Sequence, residues 1–356
     1  MRILDDNKII KQYQKFQVAK TILLFPKQIV ESWVGVLALK LPKNYRRPPN
    51  IVISGMGGSN LASELIRSVY GRKIKSPLIL VRNYHLPQFV DNRSLVIISS
   101  YSGNTEETLN CLQEAIKKKA KIFCLAGGGR LLALAKKHKI PYYQLNKKLN
   151  PANQPRYGLG LQLGAFLAIF KKLQVINLSS EEIGQILEYL MVLNESFWPE
   201  VESARNLAKN IASELVDCLP VLVAADFLSA NTHILANQIN ESAKNLAAYY
   251  PIPELNHHLL EGLKFPLIIT AKTKFLFFNC NLYSAKISRC FVITQKILKK
   301  QQIKFIDYTI CSNNYLATAL EILLLGSWTS YYLTILNKQN PLTLPYIDLF
   351  KKELAE

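Results

Sequence analysis

The hydroxyls of Ser100, Ser102 and Thr105, the amide of Asn104 and the flexible Gly103 are crowded into one short stretch, Ser99 to Thr108. The apolar, β-branched run Leu95-Val96-Ile97-Ile98 before it reads as a buried strand. Thr108 to Lys119 after it reads as a helix with Leu109, Leu112 and Ile116 on one face. The stretch is therefore a strand-to-helix turn. Hydroxyls gathered at the free N–H groups of a helix start, beside a glycine that lets the backbone approach closely, can bind a phosphate without a lysine. The competing reading is a plain helix cap, Thr105 with Glu106 and Glu107 behind it. A second loop tips the balance towards phosphate: Ser54-Gly55-Met56-Gly57-Gly58-Ser59-Asn60 directly follows the strand-like Ile51-Val52-Ile53. It is not a dinucleotide fingerprint, because Asn60 stands where the third glycine belongs, and no Gly-x-x-x-x-Gly-Lys-Ser occurs in the chain. A tight glycine turn ending in Ser59 at a helix start suits a small phosphate or sugar hydroxyls. Gly127-Gly128-Gly129 reads as an ordinary strand-to-helix turn.

Acid–base candidates are few, since the chain has 5 histidines. His138 lies among lysines and reads as solvated, and His85 and His233 as structural. His257-His258 follows the prolyl stretch Pro253-Glu254-Leu255-Asn256; in an extended loop the two side chains would point apart, which suits a single proton shuttle better than a metal pair. Upstream, Asn240-Glu241-Ser242-Ala243-Lys244-Asn245 lies on a helix otherwise lined by Ile234, Leu235, Ile239 and Leu246. Glu241 there is either a base or an exposed ion-pair partner, and spacing leaves both open.

The elements that must position these groups alternate. Strand-like runs at Ile51–Ile53, Leu78–Val81, Leu95–Ile98, Ile122–Leu125 and Tyr142–Leu145 are separated by helical segments, the pattern of a doubly wound parallel sheet with ligands at the carboxyl ends of its strands. A second round follows: strands at Leu219–Ala224, Leu267–Thr270, Phe275–Asn279 and Ile303–Tyr308, and helices at Thr232–Ala248, Ser284–Lys300 and Asn313–Leu336. Two helices, parted near Phe25-Pro26, precede the first round. The 356 residues accommodate two domains, placed at 1–177 and 178–356 with the polar Asn177-Leu178-Ser179-Ser180 at the junction. The net charge of +19 allows nucleic acid, membrane or an anionic substrate, but the lysines lie on helical faces without interleaved aromatics, which favours solvated faces. Six cysteines without a Cys-x-x-Cys argue against zinc and a disulfide scaffold and fit a reducing cytoplasm; the charged Met1 to Asp6 does not read as a signal peptide. Leu316–Leu336 carries Glu321, Ser327, Thr329 and Ser330, and reads as a core helix rather than a membrane span.

Taken in order, Gly55-Met56-Gly57-Gly58-Ser59, Ser100 to Thr108, Pro155-Arg156, Asn240 to Asn245 and Pro253 to His257 resemble the bifunctional phosphoglucose/phosphomannose isomerases. The resemblance implies an α/β chain of two sugar isomerase (SIS) domains, each a doubly wound parallel sheet flanked by helices. It implies a phosphate site at Gly58, Ser59, Ser100, Ser102 and Thr105, an active-site arginine at Arg156, a catalytic base at Glu241 and a ring-opening histidine at His257. It also implies a C-terminal lysine at Lys351, with Lys352 one register away. The substrate class would be a sugar phosphate, glucose 6-phosphate or mannose 6-phosphate exchanged with fructose 6-phosphate, without metal or redox cofactor. The protein would be a cytoplasmic homodimer in which His257 enters the partner's active site. Asn60 and His258 depart from the family pattern beside the motif and bear on fine specificity. A non-catalytic SIS sensor of sugar phosphates would keep the serine loops without needing Glu241 and His257 together, and that pairing also stands against other SIS enzymes.

Overall fold

The computed structural model describes residues 3–310 and 312–355, leaving Met1, Arg2, Cys311 and Glu356 outside the description. The chain forms two compact units, Leu23–Met191 and the combination of Met1–Ile22 with Val192–Glu356.

The helices α1 (Asn7–Gln14) and α2 (Val18–Leu23) come first, and Pro26 sits inside the first turn of α3 (Phe25–Ala38), where its missing N–H is not needed. The Leu23–Met191 unit holds five parallel strands, β1 (Ile51–Ser54), β2 (Leu78–Val81), β3 (Leu95–Ser100), β4 (Lys121–Ala126) and β5 (Tyr142–Gln144), in the order β2-β1-β3-β4-β5. The order in which strands are added reverses between β1 and β3, which pair in parallel from Ile51 with Leu95 to Ser54 with Ile98. Every residue of β1 and β3 is buried, as their unbroken apolar runs require of strands covered on both faces. Around the sheet lie α4 (Gly58–Tyr70), α5 (Glu106–Lys117), α6 (Gly129–Lys137), α7 (Leu159–Lys172) and the start of α8 (Ser180–Ser196). Leu109 and Leu112 of α5 and Leu131 of α6 share one core with Val96, Ile98 and Ile122.

The second unit adds α9 (Leu207–Glu214), β6 (Leu219–Ala225), α10 (Ser229–Gln238), β7 (Ala248–Ile252), α11 (Leu255–Gly262), α12 (Ile269–Lys272), β8 (Thr273–Cys280), α13 (Ala285–Lys300), β9 (Lys304–Ile310), α14 (Tyr315–Leu336) and α15 (Pro345–Ala355). Its four parallel strands run β7-β6-β8-β9. The helix α14 is apolar enough to span a membrane by composition, but 94% of its apolar 18-residue stretch is buried, and it is the core helix of its unit.

The structure differs from the sequence reading at the division and in the second sheet. The division does not fall at 177/178: Ser179 Oγ accepts the Glu182 N–H, so the polar patch there is the cap of α8. The first residues join the second unit because Asp5 accepts from the Ser203 N–H (2.9 Å) and hydroxyl (2.8 Å), and the buried Lys209 ammonium donates to the carbonyls of Leu4 (2.7 Å) and Pro199 (2.8 Å). Leu267–Thr270 is not a strand; Leu267 is 77% exposed and the run leads into α12. The fourth strand is instead β7, which contains Pro251 and lies at the sheet edge, where a residue without an N–H is tolerated.

In α7, glycines let a neighbouring helix approach: a Cβ on Gly164 would stand 2.2 Å from the Ile29 carbonyl oxygen of α3, and one on Gly160 2.7 Å from that of Phe25. Gly164→Ala should therefore lower the unfolding free energy by about 1–3 kcal/mol through overpacking, although alanine in an open helix would raise it by roughly 0.5–1 kcal/mol. Urea unfolding checks the sign, and a stabilised variant would contradict this packing.

Candidate functional site

The two serine loops meet at the carboxyl edge of the five-stranded sheet, where the strand order reverses between β1 and β3. In such a sheet this is where the crevice opens. Gly57 has φ +48° and turns the chain from β1 into α4, and Ser59 in the first turn of α4 is buried. Its hydroxyl accepts the Tyr101 N–H at 2.8 Å, and its carbonyl accepts from the Ser99 hydroxyl at 3.1 Å. The loops are thus bonded to each other in both directions.

In the second loop the Ser100 and Thr105 hydroxyls pair at 3.0 Å, and Ser100 Oγ also accepts the Gly103 N–H. Thr105 stands at the N-cap of α5 yet makes no side-chain capping bond, so the helix-cap reading does not describe its hydroxyl. Ser102 is exposed, and its oxygen accepts the Asn104 N–H at 3.2 Å. Since each hydroxyl carries one hydrogen, Ser59, Ser102 and the Ser100–Thr105 pair each retain one to donate outward. The first N–H groups of α5 lie beside them, whereas in α4 the Ser59 and Asn60 N–H groups already donate to the carbonyls of Met56 and Gly57. Hydroxyl donors gathered at two helix starts suit an anionic oxygen cluster.

Asn104 does something the sequence did not suggest. Its side-chain oxygen accepts the Arg130 N–H at 2.9 Å, bracing the start of α6. The Gly127–Gly129 turn, read as ordinary, is the wall behind the serine loop: Gly103 has φ +75°, and a Cβ there would lie 1.8 Å from the Gly128 carbonyl oxygen.

Arg156, in the 3₁₀ turn Pro155–Tyr157, is 1% exposed. It donates to Gln154 Oε1 at 2.8 Å, and its guanidinium lies 5.6 Å from the Tyr157 ring. That turn lies against the first loop, since a Cβ on Gly58 would come within 2.9 Å of Pro155. Sequence reasoning missed the link: Asn150 Nδ2 donates to both the Tyr101 hydroxyl (2.7 Å) and the Gln154 carbonyl (2.8 Å). Burial pushes the Tyr101 hydroxyl up in pKa, against the lowering effect of the Asn150 bond. The Lys147 ammonium lies 5.4 Å from the Tyr101 ring. Only the position of Tyr101 inside the serine motif could have signalled this network; an isolated asparagine carries no pattern.

The other candidates belong to the second unit. Glu241 is half-buried in a five-residue π-turn, Ile239–Ala243, that ends α10. The expected helix to Ala248 thus stops early, at a distortion common at functional sites. His257 lies in the first turn of α11, not in an extended loop, and is exposed, while His258 sits 5.8 Å from the Tyr250 ring. Asn256 anchors this turn through the Thr294 hydroxyl at 2.6 Å. His233 stacks on Tyr249 at 4.7 Å, and His85 pairs with Glu114 at 2.7 Å. Lys351 and Lys352 are exposed on α15.

The second sheet reverses order between β6 and β8, but its crevice is filled. The Tyr283 hydroxyl accepts the Ala225 N–H (3.0 Å) and donates to the Phe278 carbonyl (3.2 Å), and its ring packs on Phe227 and Phe291. Burial raises its pKa well above the ordinary tyrosine value.

Residues 204–354 match the bacterial phospho-glucose isomerase C-terminal SIS domain. The chain is similar to a bifunctional phosphoglucose/phosphomannose isomerase of Caldicellulosiruptor bescii, 33% identical over 310 residues, covering 86% of this chain and 89% of that one. It is also similar to one of Aquifex aeolicus, 30% identical over 307 residues with 86% and 90% covered. Among solved structures it resembles tagatose-6-phosphate ketose/aldose isomerase from Escherichia coli, with TM-score 0.69 at 14% identity, covering 91% of this chain and 94% of that one. That last likeness concerns the fold.

Asn150→Ala removes the donor shared by the Tyr101 hydroxyl and the Gln154 carbonyl. It should cost about 1–3 kcal/mol of unfolding free energy and speed amide exchange at residues 154–158. Unchanged exchange there would show that Asn150 does not hold the Arg156 turn.

Proposed function

The chain belongs to the bifunctional phosphoglucose/phosphomannose isomerase family, and from that premise we propose that it interconverts glucose 6-phosphate and mannose 6-phosphate with fructose 6-phosphate. The observation that carries this reading is the outward-donating hydroxyl set of Ser59, Ser100, Ser102 and Thr105 at the β1–β3 reversal, matched by a half-buried carboxylate, Glu241, on a π-turn. The phosphate is held by the hydroxyls, by the Gly58 N–H and by the N–H groups at the start of α5. With the phosphate fixed, the sugar chain extends in a defined direction, and positioning contributes as pre-paid entropy.

His257 donates a proton to the ring oxygen and opens the ring, a task suited to an imidazole, which can give and take a proton. Glu241 then removes the proton from C2 of the open aldose while the C1 carbonyl oxygen takes up a proton, which gives a cis-enediol. Return of a proton to C1, with loss of the C2 hydroxyl hydrogen, yields the ketose. Atoms and electrons balance within the substrate, so no redox partner is consumed. Arg156 and Lys351 stabilise negative charge on the enediolate oxygens. The exposure of His257 supports a homodimer in which it serves the partner's site.

In a coupled assay with fructose 6-phosphate, Glu241→Gln should lose at least about 10²-fold in turnover, because the amide keeps the shape and removes the base. Mixed with His257→Ala and allowed to exchange subunits, it should regain about a quarter of parental activity, since half the dimers are mixed and each carries one intact site. Full activity in Glu241→Gln would remove it as the base. No recovery after verified subunit exchange would place both residues within one chain.

A further inference from the structure

The π-turn that presents Glu241 is held at its carboxyl end by two asparagine side chains, one of its own and one from beyond it. Asn337 Nδ2 donates to the Ala243 carbonyl at 3.0 Å, and Asn240 Oδ1 accepts the Ala247 N–H at 2.9 Å. The turn closes on Lys244, a non-glycine residue at φ +53°. In that conformation the Lys244 ammonium folds back to donate to the Glu241 carbonyl at 2.5 Å and, at the same distance, to the carbonyl of Thr343, 99 residues later. A cation at the carbonyl end of a helix is favoured by the helix dipole. A carbonyl from the distant C-terminal segment at the same ammonium is not part of any capping pattern.

Thr343 stands two residues before α15, which carries Lys351. Every residue from Pro345 to Leu354 is exposed, including Tyr346 (86%) and Phe350 (64%). The helix therefore does not fix its own position by burying side chains. Its placement depends on the segment leading into it, where Pro341 is buried and Leu342 N–H donates to Asn340 Oδ1 at 2.9 Å. The bond from Lys244 ties that segment to the backbone of Glu241.

We propose that Lys244 is a positioning residue: its ammonium latches the C-terminal segment to the π-turn, and so sets the lysine-bearing helix α15 against the carboxylate of Glu241. The inference rests on the isomerase reading, in which Glu241 and the C-terminal lysine act on the same substrate.

The test measures isomerase kinetics and amide exchange in purified full-length protein. Lys244→Met should lower kcat for fructose 6-phosphate by about tenfold or more while KM stays within about threefold, since a displaced group costs rate rather than phosphate affinity. Lys244→Arg, which can still donate to both carbonyls, should recover most of the loss. In a Lys351→Met/Lys352→Met background the Lys244→Met change should cost less than about twofold, because the group it positions is gone. Amides 342–350 should exchange faster in Lys244→Met than in the parent; Lys244→Gln takes its place if that variant does not fold. An active parent with unchanged kcat in Lys244→Met, or the same loss in the double-lysine background, overturns the proposal. A parent without isomerase activity would sink the functional reading instead, and exchange at 342–350 would still decide whether the latch exists.

Discussion

The bond from the Tyr101 N–H to the Ser59 hydroxyl is the constraint on which the candidate site depends. It uses the lone pairs of a buried serine to join the loop after β1 to the loop after β3, and it does not use the serine hydrogen. An apolar residue at position 59 would leave a buried N–H without a partner, at a cost of about 1–3 kcal/mol. The same tyrosine continues the chain of contacts through its hydroxyl to Asn150, then to Gln154 and the buried Arg156. One backbone donor thus sets the relation among both helix starts and the arginine turn.

The two sheets share a topology but not a use. Each is parallel and reverses order beside its first strand, and each therefore has a crevice at the same edge. In one, small hydroxyl residues line it and keep hydrogens to give. In the other, Tyr283 accepts the N–H of Ala225 at the end of β6 with a bulky side chain whose hydroxyl is spent on both sides. The size of the side chain set at each reversal decides whether room for a ligand remains.

Much of the first unit was legible, because buried parallel strands are unbroken β-branched runs and the serine loops carry glycines where the backbone must turn. The second unit was less so. Leu267–Thr270 has strand-like composition yet is exposed, and the true edge strand is disguised by Pro251 and follows a helix that breaks at a π-turn. A π-turn inserts one residue into the helical period, and no composition marks it. The two loops that carry Ser59, Ser100 and Thr105 could be seen from spacing. Asn150, Tyr283 and Lys244 could not, since each acts through a contact across a long sequence separation.

The account holds that a phosphate binds at the β1–β3 reversal and not at the filled β6–β8 reversal. A crystal structure with a phosphorylated sugar acid tests this most directly. The account predicts phosphate oxygens within hydrogen-bond reach of the hydroxyls of Ser59, Ser100, Ser102 and Thr105, with the crevice at Tyr283 still filled by its ring. A phosphate held elsewhere, with these four hydroxyls unoccupied, would contradict it.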